Sequence, residues 1–99
     1  MKYNIFLLPE AQAEKNKLAK TYQDEIENAY KLIEEKGTEF VFVNSLGNKL
    51  YEIKTDKTRS VYKYNAGQII IVGLVFLKKS QKAPKQIIKL AQKRLNKEI

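Results

Sequence analysis

The longest apolar run in the chain, IIIVGLVFL from Ile69 to Leu77, constrains the fold more than any other feature. Nine consecutive residues without a charge are too few for a membrane-spanning helix, which needs roughly 18 to 20 residues. Their β-branched content favours a strand that is apolar on both sides. The run therefore predicts the central strand of a sheet that is covered on both faces.

Lysines crowd the exit of this predicted strand, in the segment LKKSQKAP. Lys78, Lys79 and Lys82 fall within five positions, and Pro84 is well placed to open a last helix. In that helix the apolar residues cluster on one side, while Lys85 and its successors lie on the other. The apolar set is Ile87, Ile88, Leu90, Ala91 and Leu95, and the basic set is Lys85, Lys89 and Lys93.

The first third of the chain predicts a strand and two helices. The segment KYNIFLL, residues 2–8, suits a short strand. Helix-forming residues follow, and Thr21 with Asp24 three positions later resembles a capping box. We therefore expect a short helix at about 10–19 and a longer helix at about 22–36.

Aromatic and β-branched residues dominate the middle of the chain, in KLYEIKT and TRSVYKYN. Strand alternation places Leu50, Glu52 and Lys54 on one face of the first segment and Arg59, Val61 and Lys63 on one face of the second. The earlier segment EFVFVN fits a further strand at Glu39–Val43. The order is therefore β-α-α-β-β-β-α with that extra strand as an option. We expect an α+β fold in a single domain, residues 1–99, with a small antiparallel sheet packed against an N-terminal helical hairpin and a C-terminal helix.

The net charge of +8 is unevenly distributed. Residues 1–40 carry six lysines against eight acids, a net −2, whereas residues 41–99 carry thirteen lysines and arginines against three acids, a net +10. A basic field of this size attracts nucleic acid, anionic lipid or an acidic protein, and charge alone does not choose between them.

Missing residue types exclude several kinds of chemistry. The chain has no cysteine and no histidine, so disulfides, thiolate metal sites and the commonest general base are ruled out. Phosphate-binding loops, dinucleotide fingerprints and zinc-protease motifs are also absent from the sequence. We expect no metal or cofactor, and chemistry that depends on Lys, Arg, Tyr or carboxylates. The apolar run near the N-terminus is too short for a secretory signal, so a soluble cytoplasmic protein is the expectation.

The basic residues of the second half suit phosphate binding. Arginine presents a planar fork to phosphate oxygens, and lysine supplies a mobile point charge. In an RNA-cleaving site without metal or histidine, lysine can transfer protons once neighbouring cations lower its pKa, and arginine can stabilise charge on the scissile phosphate. The alternative is an ordinary solvated surface on which Arg59 pairs with Asp56 or Glu52.

Residues 46–95 resemble the RelE/ParE superfamily of type II toxin–antitoxin toxins, and most closely its HigB-like, phage-derived branch. The matching segments are LYEIK, RSVYKY, FLKKSQKAP and IIKLAQKRL. The signature that follows the last strand in this branch reads Phe76, Lys78, Lys79, Gln81, Lys82 and Pro84 here. The resemblance implies a ribosome-dependent mRNA interferase, an endoribonuclease that promotes attack of a 2′-hydroxyl on the adjacent phosphate in the ribosomal A site. It also implies a cognate helix-turn-helix antitoxin.

The resemblance further assigns roles to individual basic residues. The predicted catalytic residues are Arg59, which would contact the phosphate, with Lys54, Lys79 and Lys82. The predicted RNA-binding residues are Lys57, Lys63, Lys78, Lys85 and Lys89. Relatives carry a Tyr or His near the final helix, where this chain has Lys85, Gln86 and Ile87, so Lys82 is the candidate acid for the leaving oxygen. One of Tyr51, Tyr62 and Tyr64 could stack on a base.

Two other functions fit the sequence as well. ParE-like members of the superfamily poison DNA gyrase and need no catalytic constellation. A catalytically decayed toxin would act only as a basic binding module. Both readings tolerate the missing Tyr or His.

Overall fold

The fold is an α+β arrangement of five strands and three helices in the computed structural model, which describes residues 2–78 and 85–96. The strands are β1 (Asn4–Leu7), β2 (Phe42–Gly47), β3 (Leu50–Lys54), β4 (Thr58–Asn65) and β5 (Ile69–Leu77). The helices are α1 (Pro9–Asn16), α2 (Lys20–Lys36) and α3 (Lys85–Asn96), and a single 3-10 turn covers Thr38–Phe40. The predicted fold class and order of elements are confirmed.

The five strands form one sheet in the order β1-β5-β4-β3-β2. Strands β2 to β5 pair antiparallel with their neighbours, as predicted, but β1 joins β5 in parallel. The sheet is therefore mixed, because the chain's first strand is placed beside its last by a connection that includes every intervening element. This position makes β5 an interior strand.

Helices cover both faces of the sheet, as the apolar run at β5 predicts. On one face, which we call the hairpin face, Ile26 and Ile33 of α2 pack with Ile53 and Tyr62. On the other, the α3 face, Ala91 and Leu95 of the last helix pack with sheet residues of a second cluster. That cluster contains Leu50, Val61 and Leu74. The predicted alternation along β3 and β4 is thus confirmed.

A bulge in β5 brings α1 and α3 together. The register between β4 and β5 shifts at Gly73, and a Cβ built there would lie 2.5 Å from Leu95 Cγ. Glu14 of α1 accepts hydrogen bonds from Val75 N at 3.1 Å and from Arg94 Nη1 at 3.0 Å, and Arg94 Nη1 also donates to the Gly73 carbonyl at 3.0 Å. Glu14 and Arg94, an ion pair, therefore satisfy backbone groups of β5 beyond the last residue that pairs with β1.

Several predicted boundaries are corrected. The capping box at Thr21 is wrong, because α2 begins at Lys20 after Ala19 and has no side-chain cap. Asp24 instead pairs with Lys20 Nζ at 2.9 Å, one helical turn away. The optional extra strand exists, but it begins at Phe42 and not at Glu39 because the 3-10 turn occupies the preceding residues.

Candidate functional site

Two of the predicted catalytic residues are direct neighbours. Lys54 at the end of β3 lies opposite Arg59 near the start of β4. Residues paired in this way in an antiparallel sheet have Cβ atoms about 4.5–5.5 Å apart and project from the same face. Both side chains therefore belong to the α3 face, where two adjacent cations can bind one phosphate.

The Arg59 guanidinium is held by backbone carbonyls. The side chain is 7% exposed, and its Nη1 donates to the carbonyls of Thr55 at 2.8 Å and Thr58 at 2.7 Å. No acid in residues 2–78 or 85–96 lies within ion-pair distance, so the alternative pairing with Asp56 or Glu52 is not formed there. Neutral carbonyls fix the position of the group without cancelling its charge.

The turn between β3 and β4 is closed by hydrogen bonds, and two further lysines lie in or beside it. Thr58 is fully buried, and its N–H donates to Thr55 Oγ1 at 3.1 Å while its carbonyl accepts from Thr55 N at 3.1 Å. Lys78 N donates to the carbonyl of Lys57 at 2.7 Å, which ties the exit of β5 to this turn. We call the group formed by Lys54, Lys57, Arg59 and Lys78 the basic end of the sheet.

The other predicted residues lie elsewhere. Lys63 is on the α3 face four residues beyond Arg59, and its Nζ donates to the Leu95 carbonyl at 2.8 Å, where a cation suits the C-terminal end of α3. Lys85 and Lys89 are exposed on that helix. Lys79 and Lys82 lie outside the described residues. Roles in RNA binding or catalysis for these five lysines stay predictions.

A carboxylate that the sequence did not single out lies beside the basic end. Glu52 shares the α3 face with Lys54 two residues away and is only 8% exposed. The Asn44 amide lies between them: its nitrogen donates to Glu52 Oε1 at 3.4 Å, and in the opposite amide orientation its oxygen accepts from Lys54 Nζ at 3.2 Å. The alternation of LYEIK places Glu52 on this face, but nothing local distinguishes it from a surface acid.

The structure does not bring the predicted tyrosines to this site. Tyr51, Tyr62 and Tyr64 lie on the hairpin face, where they form an aromatic cluster with Tyr3. Tyr62 is fully buried, and burial raises the pKa of its hydroxyl, which lies 3.0 Å from the Tyr64 hydroxyl. The aromatic residue beside Lys54 is Phe42, its partner on β2, which is 79% exposed.

Other kinds of site are poorly supported. A groove of about 710 Å³ between β1 and α2 is lined by none of the residues of the basic end, and two of its three acids already have partners. Glu27 accepts from Lys15 Nζ at 2.8 Å and Glu34 from Ile5 N at 3.1 Å. The described part of the chain contains no cluster of acids able to hold a metal ion. Within the same residues, none of the helices has the length and apolar character needed to cross a membrane.

Solved structures share this fold at low sequence identity. A chain of the archaeal RelE–RelB complex from Pyrococcus horikoshii OT3 matches with a TM-score of 0.67 and 17% identity, over 78% of this chain and 96% of that one. The YoeB dimer from Staphylococcus aureus matches with a TM-score of 0.60 and 18% identity, over 81% and 99%. Isolated RelE from E. coli matches with a TM-score of 0.59 and 19% identity, over 88% and 96%. The fold is therefore RelE-like.

The family follows from a sequence match over most of the chain. Residues 13–96 match the family described as phage-derived protein Gp49-like, and the chain belongs to this family. No curated protein matches the chain. The predicted RelE-like fold and the predicted membership of a phage-derived family are confirmed.

Proposed function

We propose that this chain is the toxin of a type II toxin–antitoxin system and that it cleaves translated mRNA in the ribosomal A site without a metal ion. The observation that carries the proposal is the pair Lys54 and Arg59, register neighbours on one face, with the charge of Arg59 not compensated by any described acid. The RelE-like fold and the phage-derived family support it.

Arg59 suits the stabilisation of a phosphate in the transition state. Its Nη1 hydrogens serve two carbonyls, which leaves the donors on Nε and Nη2 without a partner among the described residues. A guanidinium fixed in advance needs no reorganisation when negative charge builds up on the phosphoryl oxygens. Lys54 adds a second positive charge at the same phosphate.

Proton transfer needs a base and an acid near that phosphate. Attack of the 2′-oxygen forms a P–O2′ bond and breaks the P–O5′ bond, giving a 2′,3′-cyclic phosphate and a 5′-hydroxyl. Glu52, about 6.6 Å along the strand from Lys54, is the proposed acceptor of the 2′-hydroxyl proton. The proposed proton donor to the leaving 5′-oxygen is Lys82, which lies outside the described residues. Among the residues that the structure describes, Lys54 is the alternative donor.

A cognate antitoxin belongs to the same proposal. The matching structures from Pyrococcus horikoshii and Methanococcus jannaschii are, by their names, complexes of RelE with RelB. We infer that this chain also forms a tight complex with a small helix-turn-helix antitoxin in the cytoplasm. Co-expression with a neighbouring reading frame of that kind should suppress any growth arrest.

Induction in cells, with mapping of RNA 5′ ends, tests the proposal. The wild type should arrest growth and produce cuts inside translated codons, and Arg59→Lys should reduce cutting by about 100-fold because the ammonium lacks the fork of donors. Lys31→Ala, on the exposed side of α2, is the matched control for loss of a cation and should cut like the wild type. Intact messages with DNA breaks would instead indicate gyrase poisoning, and unaffected growth would indicate a binding module only.

A further inference from the structure

Phe42 is the most exposed of the large apolar side chains that the structure describes. It is 79% exposed, compared with 60% for Phe40, and it joins neither buried cluster. Its neighbours Val41 and Val43 pack against the hairpin-face cluster, which fixes the register of β2. A one-residue slip would bury Phe42 but expose both valines, so the ring is held in solvent by the packing of the strand.

Phe42 stands at the end of a row that crosses four strands. It lies opposite Lys54, Lys54 lies opposite Arg59, and Arg59 lies opposite Phe76 of β5. Neighbouring strands are about 4.8 Å apart, so the backbones at Phe42 and Arg59 are separated by roughly 10 Å. Phe76 packs partly against the α3 cluster, whereas Phe42 is open to solvent. An aromatic platform therefore stands directly beside two cations on one face.

We propose that Phe42 stacks on a base of the RNA whose phosphate contacts Lys54 and Arg59. This inference rests on the proposed function, since it adds a contact for the base at the same site. Every nucleobase has a flat π-face, so a phenyl ring stacks on bases with little sequence preference. Cations for the phosphate and a ring for the base together match a single nucleotide, and the uncompensated charge of Arg59 favours an anionic ligand.

Addition of a protein strand to the free edge of β2 explains the exposed ring of Phe42 less well than base stacking does. A protein strand that added to the free edge of β2 would use the backbone N–H and C=O groups of the edge. The Phe42 side chain, in contrast, projects from the α3 face, the same face as its partner Lys54. The ring is therefore placed for a ligand that lies across the basic end, and Phe42 would contribute affinity for substrate and not proton transfer.

The test measures binding of the full chain to a short single-stranded RNA and to ribosomes programmed with a message and an empty A site. Phe42→Ala should weaken binding roughly tenfold in at least one of these assays, and Phe42→Tyr should restore it. Phe40→Ala is the control for loss of an exposed ring. On RNAs with one abasic nucleotide, placed at each position in turn, one position should abolish the difference between wild type and Phe42→Ala, because the stacking partner is then missing.

Other results would overturn the inference. The first is a Phe42→Ala variant that binds RNA like Phe40→Ala in both assays. The second is a difference in affinity between wild type and Phe42→Ala that is the same on every abasic RNA. The third is the absence of RNA binding by the wild type in both assays. A Phe42→Ala variant that loses only antitoxin binding would assign the ring to a protein interface and reject stacking. Failure of the proposed function gives a different pattern: stacking on RNA without any cleavage would refute the nuclease and keep the base contact.

Discussion

Arg59 has two roles at the level of the single residue, and they can be separated. Its guanidinium satisfies the Thr55 and Thr58 carbonyls of the turn, and its remaining donors have no described partner. The hydrogen bonds to the turn contribute to stability, and the remaining donors are available to bind a phosphate. A variant that keeps the fold but changes the donor geometry is therefore more informative than simple deletion of the side chain.

Deletion of the Arg59 side chain should destabilise the protein. Arg59→Ala removes two hydrogen bonds from a charged donor and leaves the partly buried Thr55 and Thr58 carbonyls without that donor, so we expect a loss of about 1–3 kcal/mol in the free energy of unfolding. Urea unfolding measures it, with Lys31→Ala as the control. An Arg59→Ala variant as stable as the wild type would show that water replaces the guanidinium at no cost.

The hydroxyl of Tyr30 makes a buried hydrogen bond, at 2.7 Å, to Ser60 Oγ on the hairpin face. Tyr30→Phe leaves Ser60 Oγ without this partner in a buried site, and we expect a loss of about 1–3 kcal/mol at neutral pH. Tyr22→Phe, at a partly exposed position of the same helix, should change stability little. Equal stability of the two variants in urea would contradict this assignment.

Alkaline pH should destabilise the fold through the buried tyrosines. Burial raises the pKa of Tyr30 and of Tyr62 above the ordinary value. The unfolded chain then loses these protons at lower pH than the folded chain, so stability is retained below about pH 10 and falls as the pH rises further. Urea unfolding between pH 8 and 11 should give a shallower fall for Tyr30→Phe than for the wild type. Parallel curves would show that Tyr30 is not involved.

Some residues could be assigned from the sequence and others could not, for a physical reason. Leu50 and Val61 alternate with polar neighbours, so their common face was predictable. In FVFV both alternating sets are apolar, and the pattern does not show whether Val41 or Phe42 points to the core. Exposure of Phe42 is decided by the packing of Val41 and Val43 against the hairpin-face cluster and by the pairing of β2 with β3, which the sequence does not contain.

Among the elements, the contact between β5 and α3 depends most on a single position. At Gly73 an added Cβ would lie within 3.0 Å of three Leu95 side-chain atoms, so α3 packs where β5 has no side chain. The apolar run predicted a buried strand, and amphipathicity predicted the helix. The bulge, and its link to Glu14 and Arg94, involves residues up to 80 positions apart and left no local signal.

A double-mutant cycle tests this packing. Gly73→Ala should cost about 1–3 kcal/mol by overpacking, and Leu95→Ala about 2–5 kcal/mol by leaving a cavity. The double variant should be more stable than the sum of the two losses predicts, because the smaller side chain at position 95 gives room for the new methyl group. Strict additivity in urea unfolding would show that the two residues do not compete for the same space.

At the scale of the whole molecule, the two parts of the sequence that differ in charge also form different parts of the fold. Residues 1–40, with a net charge of −2, include β1 and the helical hairpin, whereas the basic end belongs to β3, β4 and the exit of β5. The sequence predicted the fold class and this asymmetry from composition and order. The parallel pairing of β1 with β5 could not be predicted, since it joins segments more than 60 residues apart.

Salt dependence measures how many phosphates the basic end contacts. For single-stranded nucleic acid, the logarithm of the binding constant falls with the logarithm of salt concentration by about 0.7 per phosphate neutralised. Lys54→Ala should reduce that slope by about this amount, and Lys31→Ala should leave it unchanged. A flat response of the wild type between low and moderate salt would contradict phosphate binding.

The most direct test is cleavage of a defined message by the purified protein on translating ribosomes, with the new RNA ends identified chemically. Wild-type protein should cut within the A-site codon and leave a 5′-hydroxyl and a 2′,3′-cyclic phosphate, while Arg59→Lys should cut about 100-fold more slowly and Lys31→Ala normally. An intact message in the presence of folded wild-type protein, or equal cutting by Arg59→Lys, would contradict a nuclease built around Lys54 and Arg59.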